Sequence, residues 1–231
     1  MGVHGMSFDY RRDTKDYYKS HGIAEQYHFS FTGAKGLRGI RFRCIADHER
    51  AAVRRLIKLV PHGTVLDIPA GTGKMAVVFN DLGSKVISAD VSEAMLAIAK
   101  EEYKRLGYVN VEFRICDAER IRETFDTKFD VVVCIRLLHR APPDVKRAIL
   151  TQLAYTAKYS IVSFGINSPW HRVRRTLVRS LFGGEDIGQP MLEPMGNILS
   201  EIHENFEVIS RASVLPFLSG EYVFLLRSHH E

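Results

Sequence analysis

What the chain lacks narrows it first. No stretch approaches the ~18–20 consecutive apolar residues of a membrane-spanning helix. The N-terminal stretch MGVHGMSFDYRRDTKDYYKS has none of the apolar core of a secretory leader. Both absences predict a cytoplasmic protein. Cysteine is scarce: Cys44, Cys116 and Cys134 stand far apart, without CxxC or histidine-paired spacing. Neither a disulfide framework nor a metal site is therefore expected. No internal repeat or low-complexity tract is visible. Charge is nearly balanced, 32 basic residues against 27 acidic ones giving +5. The basic residues gather at 35–58 and 171–179, either as solvated faces or as surfaces for an anionic acceptor, nucleic acid or membrane.

What is present suits one α/β domain. The chain has 231 residues, 45% of them hydrophobic, enough for a full core. Strand signals at 64–68, 85–90, 111–117, 129–135 and 159–164 alternate with helical stretches at 74–82, 93–106, 120–124 and 142–157. The strands read as too apolar to face water, which predicts a parallel sheet covered by helices on both faces. Ser92 is a predicted helix N-cap, and Pro142 and Pro143 suit a first turn. A helix is also predicted over 45–59, and another over 198–205. The segments 206–216 and 220–229 leave no room for a crossover helix, so they should pair antiparallel at the sheet edge. The first 45 residues show no clean period and read as a short helix and loop covering something. The expected division of this single domain is a lid segment (1–44), a cofactor-binding core (45–164), an acceptor-side insertion (165–197) and a terminal helix with two strands (198–231).

The stretch VLDIPAGTGK, 65–74, ends a strand at Asp67 and turns through Gly71 and Gly73 into a helix. Glycines there allow close backbone approach, and ligands of parallel sheets sit beyond the carboxyl ends of the strands. The spacing is not that of a triphosphate-binding loop, because Met75 stands where the hydroxyl should follow Lys74. A nicotinamide dinucleotide is not excluded by the turn alone. The next strand ends in Asp90, placed to accept both hydroxyls of a ribose, and the third leads to Asp117, placed to accept from an adenine amine. Three converging carboxylates repel a pyrophosphate and attract a cofactor that carries a sulfonium and an ammonium.

At this point the chain resembles the class I S-adenosylmethionine-dependent methyltransferases. VLDIPAGTGK, VISADVSEAML, FRICDAERI and FDVVVCIRLLHR look like that family's first four motifs, in order. The resemblance implies a Rossmann-like sheet of order 3-2-1-4-5-7-6 with strand 7 antiparallel. It implies S-adenosyl-L-methionine as cofactor and S-adenosyl-L-homocysteine as product. Carried over, Asp67, Ala70, Gly71 and Gly73 would line the methionine end. Asp90 would hold the ribose, and Val91 and Met95 would pack near the adenine. Asp117 and Ala118 would meet its amine, Ile135 would floor the sulfonium, and Tyr27 or Phe31 of the lid would close over it.

The acceptor is less legible. Where nucleic-acid amino methylases carry a characteristic tetrapeptide after the fourth strand, this chain has CIRLLHR. The double-glutamate loop of arginine methylases and the magnesium carboxylates of catechol-type enzymes have no counterpart. This favours a small-molecule acceptor, methylated on oxygen, and disfavours nucleic acid. His139 is the candidate base, Arg136 and Arg140 flank it, and Trp170 and Arg174 belong to a basic, amphipathic insertion. These suit an anionic, lipid-like or glycan acceptor, or contact with a membrane surface. Other readings are an RNA or protein methylase and a cofactor-binding protein without transfer activity.

Overall fold

The computed structural model describes residues 9–19, 21–33, 36–167, 170, 173, 191–216 and 219–230. Seven strands form one sheet: β1 (Thr64–Asp67), β2 (Lys85–Asp90), β3 (Val111–Ile115), β4 (Phe129–Cys134), β5 (Ala157–Gly165), β6 (Phe206–Ser213) and β7 (Glu221–Ser228). Their order is β3-β2-β1-β4-β5-β7-β6. The pairs β1–β2, β1–β4, β2–β3 and β4–β5 are parallel, whereas β7 runs antiparallel to both β5 and β6. The strand order and the antiparallel run of β7 agree with the expectation from sequence.

The helices are α1 (His21–Thr32), α2 (Gly36–Ile57), α3 (Ala76–Leu82), α4 (Glu93–Arg105), α5 (Ile121–Thr124), α6 (Pro143–Thr156) and α7 (Met195–His203). Among the described residues none is long and apolar enough to cross a membrane. Side chains along a strand alternate between faces, and β4 divides accordingly. Val131 and Val133 pack with Val53, Leu56 and Ile57 of α2 and with Phe79 of α3. Val132 and Cys134 pack with Ile149, Leu150 and Leu153 of α6 and with Ile198 and Ile202 of α7. Both faces are thus covered, as the apolar runs require. The exceptions are the two edge strands, β3 and β6, where Ile115 is 55% and Ile209 43% exposed.

Two helix starts follow their sequence signals. The Ser92 hydroxyl accepts from the Met95 amide at 3.2 Å and caps α4, and Pro143 opens α6 behind Pro142. The N-terminal reading needs correction. A short π-helical segment (Arg11–Asp16), α1 and the first half of α2 lie where a single short helix and loop were expected. The division at residues 44 and 45 falls inside α2, which starts nine residues before the predicted helix and ends at Ile57.

Candidate active site

One cavity opens beyond the carboxyl ends of β1, β2 and β4 and encloses about 970 Å³ of space, its mouth included. The turn after β1 shapes its floor. The Ala70 amide donates to the Ala89 carbonyl at 2.8 Å, tying the turn to β2. Gly71 has φ 54°, and nothing stands within 4 Å of where a Cβ would project. Its amide donates to Asp90 Oδ2 at 2.8 Å, while the Ser92 amide donates to Oδ1 at 2.9 Å. Gly73 serves a different purpose. At φ 76° its added Cβ would come within 3.1 Å of Ala99 Cα, so it lets the turn pack on α4, and it does not line the cavity.

The electrostatics of this end are those of acids withheld from water. Asp67 is 2% exposed, and its Oδ2 has no hydrogen-bond partner among the described residues. Burial raises its pKa well above the usual carboxylate range, and the charge of Asp90 adds to the rise. Asp90 is pushed up to about 6 by burial, against the opposing pull of the amides of Ser92, Gly71 and Val91. Such acids call for a cationic partner. An orphaned, buried carboxylate oxygen on a residue that lines the cavity fits the ammonium of a methionine moiety, and the Asp90 oxygens fit the hydroxyls of a ribose.

Of the residues singled out from sequence, Tyr27, Asp67, Ala70, Gly71, Asp90 and Val91 line the cavity. So do Met95, Asp117, Ala118, Ile135, Arg136 and Arg140. Trp170 is 54% exposed and does not line it. Arg174, the side chain of Phe31 and most of the insertion lie outside the described residues.

His139 sits apart as well. The 3₁₀ turn Leu138–Arg140 puts Leu137 and Arg140 at the cavity and turns His139 toward Gly165, whose added Cβ would lie 3.4 Å from His139 Cβ. Burial, helped by the charge of Arg136, lowers its pKa to about 4.

Several lining residues escaped the sequence reading. Lys15 of the π-helical segment meets Asp117 at 2.5 Å and also binds Glu119. The acid assigned to the adenine amine is thus engaged by the N-terminal segment. Tyr18 is held over the site from two sides: the Ser92 hydroxyl donates to its carbonyl at 2.7 Å, and Arg140 donates to its phenol oxygen. Lys74 lies 3.8 Å above the centre of the Tyr27 ring. Burial lowers its pKa well below the usual lysine range.

Glu49 of α2 accepts from Arg136 Nε at 2.6 Å. Its signal was present in sequence, since Ala46, Glu49, Val53 and Leu56 fall on one helical stripe and all four are buried. A carboxylate on an apolar face needs a partner.

A methyltransferase-domain family model matches residues 65–158. A ubiquinone biosynthesis O-methyltransferase of Pseudomonas fluorescens (strain Pf0-1) is 37% identical over 78 residues, 34% of this chain and 33% of that protein. The match therefore spans about a third of the length of such curated relatives. Over nearly the whole chain the fold is that of solved methyltransferases. Magnesium protoporphyrin IX methyltransferase from Synechocystis PCC 6803, crystallised with bound SAH, superimposes with a TM-score of 0.78 at 20% identity, covering 94% of this chain and 100% of that one. Mitomycin 7-O-methyltransferase gives a TM-score of 0.63 at 14% identity, with 83% and 56% covered. By its strand order the chain shares the fold of these solved methyltransferases, and its residues 65–158, which include the turn after β1, match a methyltransferase domain.

Proposed function

We propose that the protein transfers the methyl group of S-adenosylmethionine to an oxygen of a small molecule that carries an anionic group. The observation that carries the cofactor reading is the orphaned Asp67 carboxylate oxygen, buried beside Asp90 at the head of β1 and β2. In this reading Asp67 holds the ammonium and Asp90 the ribose. Asp117 takes the adenine amine once Lys15 yields it, and Tyr18 and Tyr27 cover the bound molecule from the N-terminal segments. The cofactor supplies an electrophilic methyl on a positive sulfur, and the protein's share is to position the acceptor and exclude water.

The acceptor side rests on Arg140. It lines the cavity beside the end of β4, its guanidinium lies 5.4 Å from the centre of the Tyr18 ring, and it donates to the phenol oxygen. Burial lowers its pKa, so a negative group arriving there regains what desolvation removed. A carboxylate or phosphate on the acceptor, whether on a metabolite, a lipid or a glycan, supplies it. The relatives whose names state an oxygen acceptor are in keeping with this. The basic stretch 35–58 gives less support to RNA, because Arg50 is paired with Asp47, and Arg54 with Asp81 at 2.5 Å.

The test is incubation with methyl-labelled cofactor and an extract divided into RNA, protein, lipid, glycan and small-metabolite fractions. Label in an anionic small-molecule or lipid fraction is expected, with Arg140→Met raising the acceptor KM at least tenfold and changing cofactor affinity far less, through Tyr18 alone. Label confined to RNA or protein would sink the reading. Calorimetry that finds NAD binding without S-adenosylmethionine binding would remove its foundation.

A further inference from the structure

Two acidic side chains meet around one guanidinium at the end of the cavity next to β4. Glu49 comes from α2 with its side chain 1% exposed, and Glu221 from the first residue of β7 at 11%. Arg136 stands between them. Its Nε lies 2.6 Å from Glu49 Oε1 and its Nη2 4.0 Å from Glu221 Oε2. Glu221 Oε1 is buried and has no hydrogen-bond partner among the described residues. Glu49 and Arg136 both line the cavity, and Arg136 directly follows Ile135, the residue expected beneath the reacting sulfur. Two carboxylates that share one cation in a dry site hold one more negative charge than the cation neutralises, and such a pair readily takes up a proton.

The other acids at the cavity are committed. Asp90 is engaged by the Gly71 and Ser92 amides, and Asp117 by Lys15. Asp67 belongs to the methionine end in the proposed reading, and His139 does not line the cavity. We propose that Glu49 is the general base of the transfer, taking the proton of the acceptor hydroxyl while Arg136 and Glu221 hold its carboxylate in place. This rests on the O-methyltransferase reading. The acceptor O–H bond breaks with its proton going to a Glu49 oxygen. The electron pair left on the acceptor oxygen forms the new O–C bond, the C–S bond breaks with its pair retained by sulfur, and the proton later leaves to solvent.

The base must be ionised to act. Burial pushes the Glu49 carboxyl upward, the charge of Glu221 adds to this, and Arg136 opposes it. Tyr27 of α1, Lys74 after β1 and His139 after β4 also face this group. Activity governed by Glu49 therefore rises with pH through a midpoint above the ordinary carboxylate range and is lost below it.

The experiment compares wild type, Glu49→Gln, Glu49→Asp and Glu221→Gln. The acceptor is the extract fraction that wild type labels, and S-adenosylhomocysteine binding is measured in parallel. Glu49→Gln is expected to lose about a hundredfold in kcat, to lose the acidic limb of the pH profile, and to keep its affinity for the product within twofold. Glu49→Asp should recover part of the rate. Loss of only a few-fold, or an unchanged pH profile, overturns the proposal. Wild type that labels no fraction carrying hydroxyls overturns the oxygen-transfer reading itself, and Glu49's role with it. Should Glu49→Gln fail to fold, carbon-13 NMR of cofactor-free wild type labelled at glutamate δ-carbons decides. A glutamate titrating well above the ordinary range, with its midpoint moved by Glu221→Gln, is expected. All glutamates titrating near 4 would overturn the assignment.

Discussion

The two ends of the cavity treat charge in opposite ways. At the β1–β2 end, Asp67 and Asp90 are buried acids: Asp90 accepts from the backbone amides of Gly71 and Ser92, and Asp67 keeps one oxygen unanswered among the described residues. At the β4 end the acids Glu49 and Glu221 already hold Arg136, and Arg140 leans on a phenol. The first end lacks a positive charge and is shaped to receive one. The second brings its own cation and retains acids whose protonation is adjustable. An end built to bind should be sensitive to removal of charge, and one built to react should be sensitive to pH.

The largest effect that breaks the comparison is on the β4 end. Arg136→Ala leaves two buried carboxylates unpaired and should destabilise the fold by about 3–5 kcal/mol, read by urea unfolding. A loss below about 1 kcal/mol would mean that water already screens the pair. Next, Asp90→Ala removes a doubly accepting carboxylate. It should weaken S-adenosylmethionine binding by about 2 kcal/mol or more, some thirtyfold in a calorimetric Kd. Unchanged affinity in a folded variant refutes its role.

Asp67→Asn separates binding from stability. Because the folded state raises the Asp67 pKa, the fold favours its neutral form, and its ionisation costs stability as pH rises above the unfolded value near 3.9. The variant should bind cofactor more weakly yet melt higher without it, by about 2–4 °C for each kcal/mol relieved. That gain should be larger at pH 8 than at pH 5, and equal gains at both would contradict the burial argument. The smallest effect sharpens the first end. Lys15→Ala frees Asp117 and should tighten cofactor binding a few-fold. Weaker binding would mean that the ammonium helps shape the site.

The sheet was legible because its inner strands are buried on both faces and betray themselves as apolar runs. The final strand pair was legible because a short connection permits only an antiparallel return. The segments over the cavity were not, for a physical reason. A helix that covers a polar site turns Lys15, Tyr18 and Tyr27 inward in place of Leu and Val, so no apolar period marks it. Phe29 and Ile40 even lie 60% and 57% exposed. Within the site, Asp67, Gly71 and Asp90 could be placed because each ends a strand or opens its turn. His139 could not be placed, since one 3₁₀ turn decides which of Leu137, His139 and Arg140 faces inward. Glu49 was readable in principle, as the lone acid on a buried stripe of α2.

Arg136 has φ 63°, a left-handed conformation that costs a side-chain-bearing residue about 1–2 kcal/mol. Glycine would relax that backbone, so the site is a poor target for stepwise stabilisation. Replacing Arg136 alone strands two acids, whereas the joint replacement Arg136→Gly, Glu49→Gln and Glu221→Gln removes the backbone cost and the unpaired charge together. A thermostability screen that reached this triple variant would select a sturdier protein emptied of its reacting group. The left-handed arginine thus marks where engineering for robustness and engineering for turnover part ways.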